Sequence, residues 1–259
     1  MIKGLYTSYT GMVNEQHRLD TLANNLANAD TNGYKKEGAT SQAFDDVLAY
    51  KIKDVSEAGN LPRRMGIINP GVKIGENYLD WSEGPFKETN STFDLAIAGN
   101  GFFAIEFTSK SGETSTKYTR DGNFTLDASG NLVTQEGDYV LNSSGAHIKL
   151  NPNIEASINR QGQIMQNGAV VATVGVTDFE DYDYIEKYGE NYYEPVDGAN
   201  TIAPNYQIYS GYLEQSNVSV VDEMVNMIAI QRSYEANQKL IQTFDSSLDI
   251  SATQIGRVK

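Results

Sequence analysis

The sequence predicts an α+β fold, with a helix at each end of the chain and a central antiparallel β domain. Near the N-terminus, apolar residues recur every seven positions at Leu5, Met12, Leu19 and Leu26. Near the C-terminus the same spacing holds for a second set, Val220, Met227, Tyr234, Ile241, Leu248 and Ile255. This repeat forms a narrow apolar seam on one side of a helix, as in coiled coils. Between the helices, short apolar runs alternate with turn signals about every 8–12 residues, which is typical of an antiparallel sandwich or barrel.

The N-terminal helix is predicted over about residues 3–29, within an N-terminal helical domain of residues 1–33. It ends in an Asn- and Asp-rich stretch, and Gly33 then has the freedom to take the left-handed conformation that closes a helix. A second set of seam positions completes the three-four alternation of a coiled coil, at Ile2, Tyr9, Gln16 and Ala23. The helix therefore presents a seam that needs a partner.

Residues 34–76 predict an extended linker. Phe44, Val47 and Leu48 suggest only a short helical turn or strand. Glycine and proline residues interrupt any longer regular element. They are Gly59, Pro62, Gly66, Pro70, Gly71 and Gly75.

Residues 77–213 predict the β domain. Strands over 94–98 and 102–107 flank Gly99-Asn100-Gly101, which predicts a tight hairpin turn. Further strands are predicted from short apolar runs, over 118–126, 132–134, 139–141, 156–158, 164–165, 170–176 and 206–213. Acidic and tyrosine residues crowd the stretch 178–206, which predicts a surface excursion.

Residues 214–259 predict the second helical domain. Ser219 is a good N-cap and forms a capping box with Asp222. The positions offset from its seam are mostly polar, so this seam is thin: Met224, Gln231, Gln238, Asp245 and Ala252. Polar seam residues such as Gln231 are able to fix the register between helices.

Composition excludes several classes of function. The chain has 34 acidic and 20 basic residues and a net charge of −14, which disfavours a nucleic-acid partner. Without cysteine there is neither a disulfide framework nor a thiolate zinc site. His17 and His147 have no companions that suggest a triad, and Gly99-Asn100-Gly101 lacks the lysine and helix of a phosphate loop. We therefore expect no catalytic residue, cofactor or metal, and no membrane insertion or cleaved signal peptide.

Four ordered stretches of the chain resemble the signatures of bacterial flagellar rod and hook proteins. Residues 22–35, LANNLANADTNGYK, resemble the N-terminal signature. Residues 94–103, DLAIAGNGFF, and residues 118–134 resemble the central motifs. The C-terminal signature is matched by GYLEQSNV at 211–218 and by the helical stretch 223–237.

The resemblance implies a non-enzymatic subunit of the flagellar basal-body rod, in its distal or proximal part, that transmits torque. The terminal helices would form an inter-subunit coiled-coil domain, in a helical homo-oligomeric tube that conducts exported subunits. Other rod and hook proteins, ring or bushing proteins and the flagellar type III export apparatus would be partners, outside the cytoplasmic membrane.

The expected subunit-interface residues are the seam positions together with asparagines that present amides on one side of the first helix. They are Leu5, Met12, Leu19, Leu22, Asn24, Asn25, Leu26, Asn28, Val220, Met224, Met227, Gln231, Tyr234, Ile241 and Leu248. The expected structural turns are Gly33-Tyr34, where the chain leaves the inner tube, and Gly99 and Gly101.

Three alternatives remain open from the sequence. The chain could be a short hook subunit of the same family. It could instead be a secreted monomeric binding module, whose terminal helices pair within one chain and whose acidic tyrosine-rich face binds a ligand. An acidic-pair hydrolase would require two cooperating carboxylates, and nothing in the sequence singles out such a pair.

Overall fold

The computed structural model describes residues 2–51, 63–109, 112–189 and 191–255. Residues 52–62 of the predicted linker and 256–259 of the predicted C-terminal helix lie outside the described residues, as does the side chain of Ile255. The chain divides into two compact units. Unit 1 comprises Met1–Ala27, Glu37–Asp80 and Ser219–Lys259, and unit 2 comprises Asn28–Lys36 and Trp81–Val218.

The described residues confirm the α+β class, with a helix near each end and strands between. Helix α1 is Ile2–Ala27 and helix α2 is Val220–Ile250, followed by a π-helical turn, Ser251–Ile255. A 3-10 turn covers Tyr182–Tyr184. The strands are β1 (Glu37–Ala43), β2 (Val47–Lys51), β3 (Arg63–Ile68), β4 (Val72–Leu79), β5 (Phe86–Glu88), β6 (Leu95–Gly99), β7 (Phe102–Thr108), β8 (Thr114–Thr119), β9 (Phe124–Leu126), β10 (Leu132–Thr134), β11 (Tyr139–Val140), β12 (Ala156–Ile158), β13 (Gln163–Gln166), β14 (Ala169–Thr173), β15 (Val176–Phe179), β16 (Ile185–Tyr188), β17 (Tyr192–Pro195), β18 (Thr201–Ile202), β19 (Tyr206–Ser210) and β20 (Tyr212–Glu214).

Unit 1 corrects the prediction of an extended linker over 34–76. Strand β1 pairs antiparallel with β4, and β2 pairs antiparallel with β3. Gly71, with φ of 126°, occupies a turn, where its N–H donates to Asn69 Oδ1 at 2.9 Å and its carbonyl accepts the Phe44 N–H at 3.0 Å. This glycine marks a connection between strands, whereas the sequence analysis took it as a break in regular structure.

Unit 2 contains the apolar core. In its described residues, a nine-stranded sheet runs β16-β17-β8-β7-β11-β10-β9, and β15 pairs with both β7 and β18. Smaller antiparallel groups are β12-β13-β14, β19-β6 and β20-β5. The buried apolar cluster gathers residues from most of these strands: Leu95, Ile97, Phe103, Ile105, Phe124, Leu132, Val140, Ile148, Leu150, Ala156, Ile164, Val174 and Ile208.

The predicted hairpin at Gly99-Asn100-Gly101 is wrong. Strand β6 pairs with β19, whereas β7 pairs with β8, β11 and β15, so this turn connects strands of different sheets. Gly99 and Gly101 have φ of 105° and 118° and pack closely, Gly99 on the Asn205 carbonyl and Gly101 on Val176. Both glycines lie in a turn that redirects the chain from one sheet to another.

Three predicted strands are each divided in two. The stretch 118–126 is interrupted because Arg120 is buried and Gly122 packs directly on the Leu95 carbonyl. The stretch 170–176 is divided between β14 and β15, and 206–213 between β19 and β20. The last division falls at Gly211, with φ of 84°.

The acidic, tyrosine-rich stretch 178–206 is part of unit 2 and not simply a surface excursion. Its strand β17 pairs with β8, and Tyr193 on β17 is buried. The Tyr182 hydroxyl donates to the buried Asp178 carboxylate at 2.7 Å. Burial, followed by this hydrogen bond, raises the pKa of Tyr182 to about 12. These tyrosines lie among packed strands because their rings contribute apolar area while their hydroxyls find acceptors.

Candidate assembly surfaces

Helices α1 and α2 pack antiparallel against each other within one chain. A Cβ at Gly4 would lie 2.8 Å from Phe244 Cζ, and one at Gly11 would lie 3.2 Å from Asn237 Nδ2. Moving seven residues towards the C-terminus of α1 therefore corresponds to moving seven residues towards the N-terminus of α2. The two glycines permit this close approach because they carry no side chain.

The predicted seams form this intrachain contact region. Most seam residues are half-buried, namely Leu5, Met12, Leu19, Leu22, Leu26, Met227, Tyr234, Ile241 and Leu248. Val220, Met224 and Gln231 are exposed. The face of α2 is completed by Glu223, Ile230, Asn237 and Phe244, which the sequence analysis did not assign to the seam. For a rod subunit we expected the terminal helices to pair between subunits. Pairing of the two helices within one chain was expected only for the alternative, a monomeric binding module.

Each helix also keeps an apolar stripe that faces outward. The α1 stripe consists of Tyr6, Tyr9 and Val13, exposed by 58%, 51% and 40%. The α2 stripe consists of four residues at positions i, i+3, i+4 and i+7, namely Val221, Met224, Val225 and Ile228. Val221 and Val225 are 71% and 61% exposed. Of these stripe residues only Tyr9 and Met224 were predicted to lie on a helix seam, although the spacing of the α2 stripe is itself a helical pattern.

The two stripes lie at opposite ends of the helical pair. The α1 stripe is in the first half of α1, and the α2 stripe is in the first two turns of α2. Because the helices are antiparallel, their N-terminal halves are at opposite ends of unit 1. Ser219 supports the start of α2, since its Oγ accepts the Asp222 N–H at 3.5 Å, which confirms the predicted N-cap.

The three predicted interface asparagines have different surroundings. Asn25 is buried: its Nδ2 donates to the Glu37 carbonyl at 2.8 Å, and its Oδ1 accepts the Glu37 N–H at 2.9 Å. The same amide lies 3.4 Å from Glu223 Oε2. Asn24 is exposed, and its Nδ2 is 3.5 Å from Glu37 Oε2. Asn28 accepts a hydrogen bond from the Thr31 hydroxyl at 3.2 Å. Asn25 therefore joins α1 to β1 and α2 within one chain.

The predicted turn Gly33-Tyr34 leads into a buried part of unit 2. Gly33 has φ of 67° and donates its N–H to the Glu214 carbonyl at 2.8 Å. A Cβ at this position would lie 2.5 Å from the backbone nitrogen of Asp121. Tyr34 is buried, and Lys187 Nζ lies 4.5 Å from the centre of its ring. The turn therefore requires glycine for its conformation and for its packing.

A buried ionic triad follows this turn. Lys35 Nζ donates to Glu214 Oε1 at 2.6 Å and to the Ser82 carbonyl at 2.7 Å. Arg120 Nη1 is 3.4 Å from Glu214 Oε2, and its Nη2 donates to the Gly99 carbonyl at 2.9 Å. Burial lowers the pKa of Lys35, while the charge of Glu214 opposes that change. The sequence does not predict the triad, because nothing in the spacing of these residues indicates that they are buried together.

The described residues were found to contain neither a metal-binding cluster nor a helix suited to span a membrane. Among those residues, no group of three or more His, Asp or Glu side chains is arranged to hold a metal ion. None of the helices formed by the described residues combines the length and apolar character needed to cross a membrane.

Comparisons with known proteins identify the family. Residues 5–35 match the flagella basal body rod protein family, residues 96–172 match the flagellar hook protein FlgE/F/G D1 domain, and residues 209–255 match the flagellar basal body rod FlgEFG protein C-terminal family. The matched segments thus include both helices and much of the core of unit 2.

Similar proteins cover nearly the whole chain. The flagellar basal-body rod protein FlgG of Bacillus subtilis is 35% identical, over 96% of this chain and 97% of the relative. FlgF of Mesorhizobium japonicum is 31% identical over 99% of both chains. The flagellar hook-basal body complex protein FlhO of Bacillus subtilis is 30% identical over 100% of both. The chain belongs to the family of flagellar basal-body rod proteins.

Proposed function

We propose that this chain, a structural subunit of the flagellar basal-body rod and not an enzyme, assembles head to tail through the exposed stripes of its terminal helices. The α1 stripe of one subunit would pack on the α2 stripe of the next. The observation that carries this proposal is the location of two outward-facing apolar stripes at opposite ends of one antiparallel helical pair.

Burial of the stripes supplies the driving force for this contact. Fully burying a Val, Ile or Met side chain contributes about 1.5–3 kcal/mol relative to leaving it exposed. Association also costs about 4–15 kcal/mol in lost translational and rotational freedom, so several stripe residues must be buried together. A contact between two different surfaces of identical subunits propagates as a helical filament when its rotation does not close a ring. A tube of this kind would transmit torque and conduct exported subunits.

The half-buried seams contribute differently from the stripes. Leu19 and Ile241 are half-buried in the isolated chain, on two helices that contact each other. An aspartate at either position would therefore disrupt the fold of unit 1 as well as any assembly. Substitutions in the exposed stripes separate the two effects, because these side chains contribute little to the isolated subunit.

A complementation experiment with two variants tests the contact. Tyr9→Asp damages the α1 stripe and leaves the α2 stripe intact, whereas Val225→Asp does the reverse. We expect each purified variant alone to remain monomeric in sedimentation velocity, at concentrations where the unmodified chain forms oligomers. A 1:1 mixture should form dimers that do not grow, because only one intact pair of stripes is present. Ser233→Asp, a charge change at an exposed position of α2 outside both the stripe and the seam, is the matched control and should oligomerise normally.

Two results would contradict the proposal. One is normal oligomerisation of both variants, with unchanged helix content by circular dichroism. The other is a mixture that remains monomeric although each variant is folded. In a flagellated host lacking its own copy of the rod subunit, the two stripe variants should fail to restore motility, while Ser233→Asp restores it.

The remaining assignments extend the same proposal. Contacts with other rod and hook proteins would use the same helices, and a position in the distal rod remains a prediction. The export apparatus and ring proteins are also predicted partners.

A further inference from the structure

A small cavity in unit 2 lies where three connected segments meet. It is bounded by the connection from β8 to β9, the connection from β10 to β11, and the start of β17. Its volume is about 10 Å³, and its lining residues are Thr119, Asp121, Asn123, Thr134, Glu136, Asn191 and Tyr192. A volume of this size accommodates about one water molecule if polar partners are present. The cavity is therefore a place where a single donor or proton could alter the local packing.

Asp121 faces this cavity among other acidic groups. One of its carboxylate oxygens accepts the Asn123 N–H at 3.0 Å. Glu136 lines the same cavity, and Asp94 adds a further negative charge nearby. The Tyr192 hydroxyl donates to Asp138 Oδ2 at 2.9 Å and is 3.2 Å from Glu136 Oε2. The neighbouring cation, Arg120, is directed instead towards Glu214 and the Gly99 carbonyl.

The cavity contains an unused hydrogen-bond acceptor. Asn191 Oδ1 is buried and has no hydrogen-bond partner among the described residues. A buried acceptor without a donor costs about 1–3 kcal/mol. An ionised carboxylate only accepts hydrogen bonds, whereas a protonated carboxyl group also donates one. The Asn191 side chain already forms a hydrogen bond with the Asp121 carboxylate, which favours its ionised form. Protonation of Asp121 would add a donor for the oxygen of the same Asn191 amide, which lacks one.

The same connection supports the Gly33 turn. The position of a Gly33 Cβ is 2.5 Å from Asp121 N and 2.6 Å from the Arg120 carbonyl carbon. Any displacement of the Asp121 backbone would therefore change the packing around Gly33. The hydrogen bond from Gly33 to the Glu214 carbonyl links this contact to the end of β20.

We propose that Asp121 acts as a proton-operated latch for the Gly33 turn. When Asp121 is protonated, the repulsion from Glu136 and Asp94 is relieved, a donor becomes available to Asn191 Oδ1, and the connection between β8 and β9 closes on the turn. When Asp121 is ionised, these contacts loosen and the segment 28–36 opens more often. The latch is a regulatory device within unit 2 and does not depend on the helical stripes.

The pH range follows from the direction of the pKa change. Burial raises the pKa of Asp121 to about 6 from a reference value of 3.8. Hydrogen bonds from the Asn123 N–H and the Asn191 side chain oppose this change, while the charges of Glu136 and Asp94 reinforce it. The folded state binds this proton more tightly than the unfolded state does. The stability that protonation of Asp121 contributes is therefore lost as pH rises from about 4 to above 6. The pKa of Asp121 differs by about two units between the folded and unfolded states. Protonation can therefore change the equilibrium between the closed and open forms of the segment 28–36 by at most roughly 100-fold.

The first measurement uses the unmodified protein. Carbon-13 NMR of the aspartate carboxyl groups should show Asp121 titrating with a midpoint near pH 6. A midpoint for Asp121 near its reference value of 3.8 would overturn the proposal, and this result requires no variant to fold.

Hydrogen exchange then tests the coupling to the turn. After correction for intrinsic exchange rates, amides in residues 28–36 and 119–124 should be up to about tenfold better protected at pH 5 than at pH 7.5, because pH 5 lies about one unit below the folded-state pKa of Asp121. Asp121→Asn keeps the shape and acceptor of the side chain but cannot ionise, so the dependence on pH should disappear. Asp127→Asn, the matched control, should retain it. Unchanged pH dependence in Asp121→Asn, or the absence of any dependence in the unmodified protein, would overturn the latch.

Discussion

Gly33 illustrates how one residue satisfies two separate requirements. Its φ of 67° lies in the left-handed region, where a Cβ is unfavourable. A Cβ at this position would also lie within 2.6 Å of backbone atoms of Arg120 and Asp121. Gly145 has a similar φ of 78°, but nothing lies within 4 Å of where its Cβ would be. The two glycines thus separate conformational strain from steric packing.

We predict that Gly33→Ala lowers the free energy of unfolding by about 2–4 kcal/mol, from left-handed strain and a clash with backbone atoms. Gly145→Ala should cost only about 1–2 kcal/mol, because strain acts there alone. Urea unfolding followed by the fluorescence of Trp81, which packs 5.0 Å from the Tyr193 ring centre in unit 2, measures both. Equal losses in the two variants would show that the contact with Asp121 is unimportant.

Asparagines 24 and 25 show where local sequence stops being informative. Both lie in the predicted N-terminal helix and carry the same amide side chain, so the sequence predicts the same role for them. In the structure, Asn25 binds both backbone groups of Glu37, while Asn24 is exposed. The distinction depends on where β1 lies, and β1 was not predicted because its residues show no clear alternation.

At the scale of elements, the helical pair depends on residues that the heptad pattern did not select. The apolar seam positions were predictable because their period follows from helix geometry. Gly11 was not selected, although it permits the close approach to Asn237. Which residue faces which depends on the register between two distant segments, and neither segment specifies that register alone.

We predict that Gly11→Leu lowers the unfolding free energy of the helical pair by about 1–3 kcal/mol, because the new side chain displaces Asn237. Asn237→Ala should recover part of that loss, with a coupling energy of about 0.5–3 kcal/mol. Gln238→Ala, at the neighbouring exposed position, should not rescue it. Thermal unfolding followed by circular dichroism at 222 nm, a helix signal that both helices contribute, reports the effect. Equal rescue by both alanine variants would argue against the observed register.

Across the whole molecule, charge opposes the association that the stripes favour. The chain carries a net charge of −14, so identical subunits repel one another. Salt screens this repulsion, since the Debye length falls from about 30 Å at 0.01 M to about 10 Å at 0.1 M.

We predict that raising the ionic strength from about 0.01 M to 0.1 M strengthens self-association, because the apolar stripes persist while repulsion is screened. Sedimentation velocity at a fixed protein concentration measures the shift. Weaker association at the higher ionic strength would mean that ion pairs between subunits outweigh apolar burial. Val225→Asp provides the control, since it should remain monomeric at both ionic strengths.

The sequence by itself determined the features that depend on neighbouring residues. These are the two terminal helices, the N-cap at Ser219, the turn at Gly33 and most of the short strands. Helical periodicity, capping and positive φ are local, so a short window of residues is sufficient to specify them.

Only the tertiary structure decided which distant segments meet. It placed β6 beside β19, buried Lys35, Arg120 and Glu214 together, and paired α1 with α2 within one chain. It also separated the helix residues that face inward from the stripes that remain exposed. The physical reason is that burial and strand pairing depend on contacts between remote parts of the chain, where several partners satisfy the same local pattern equally well.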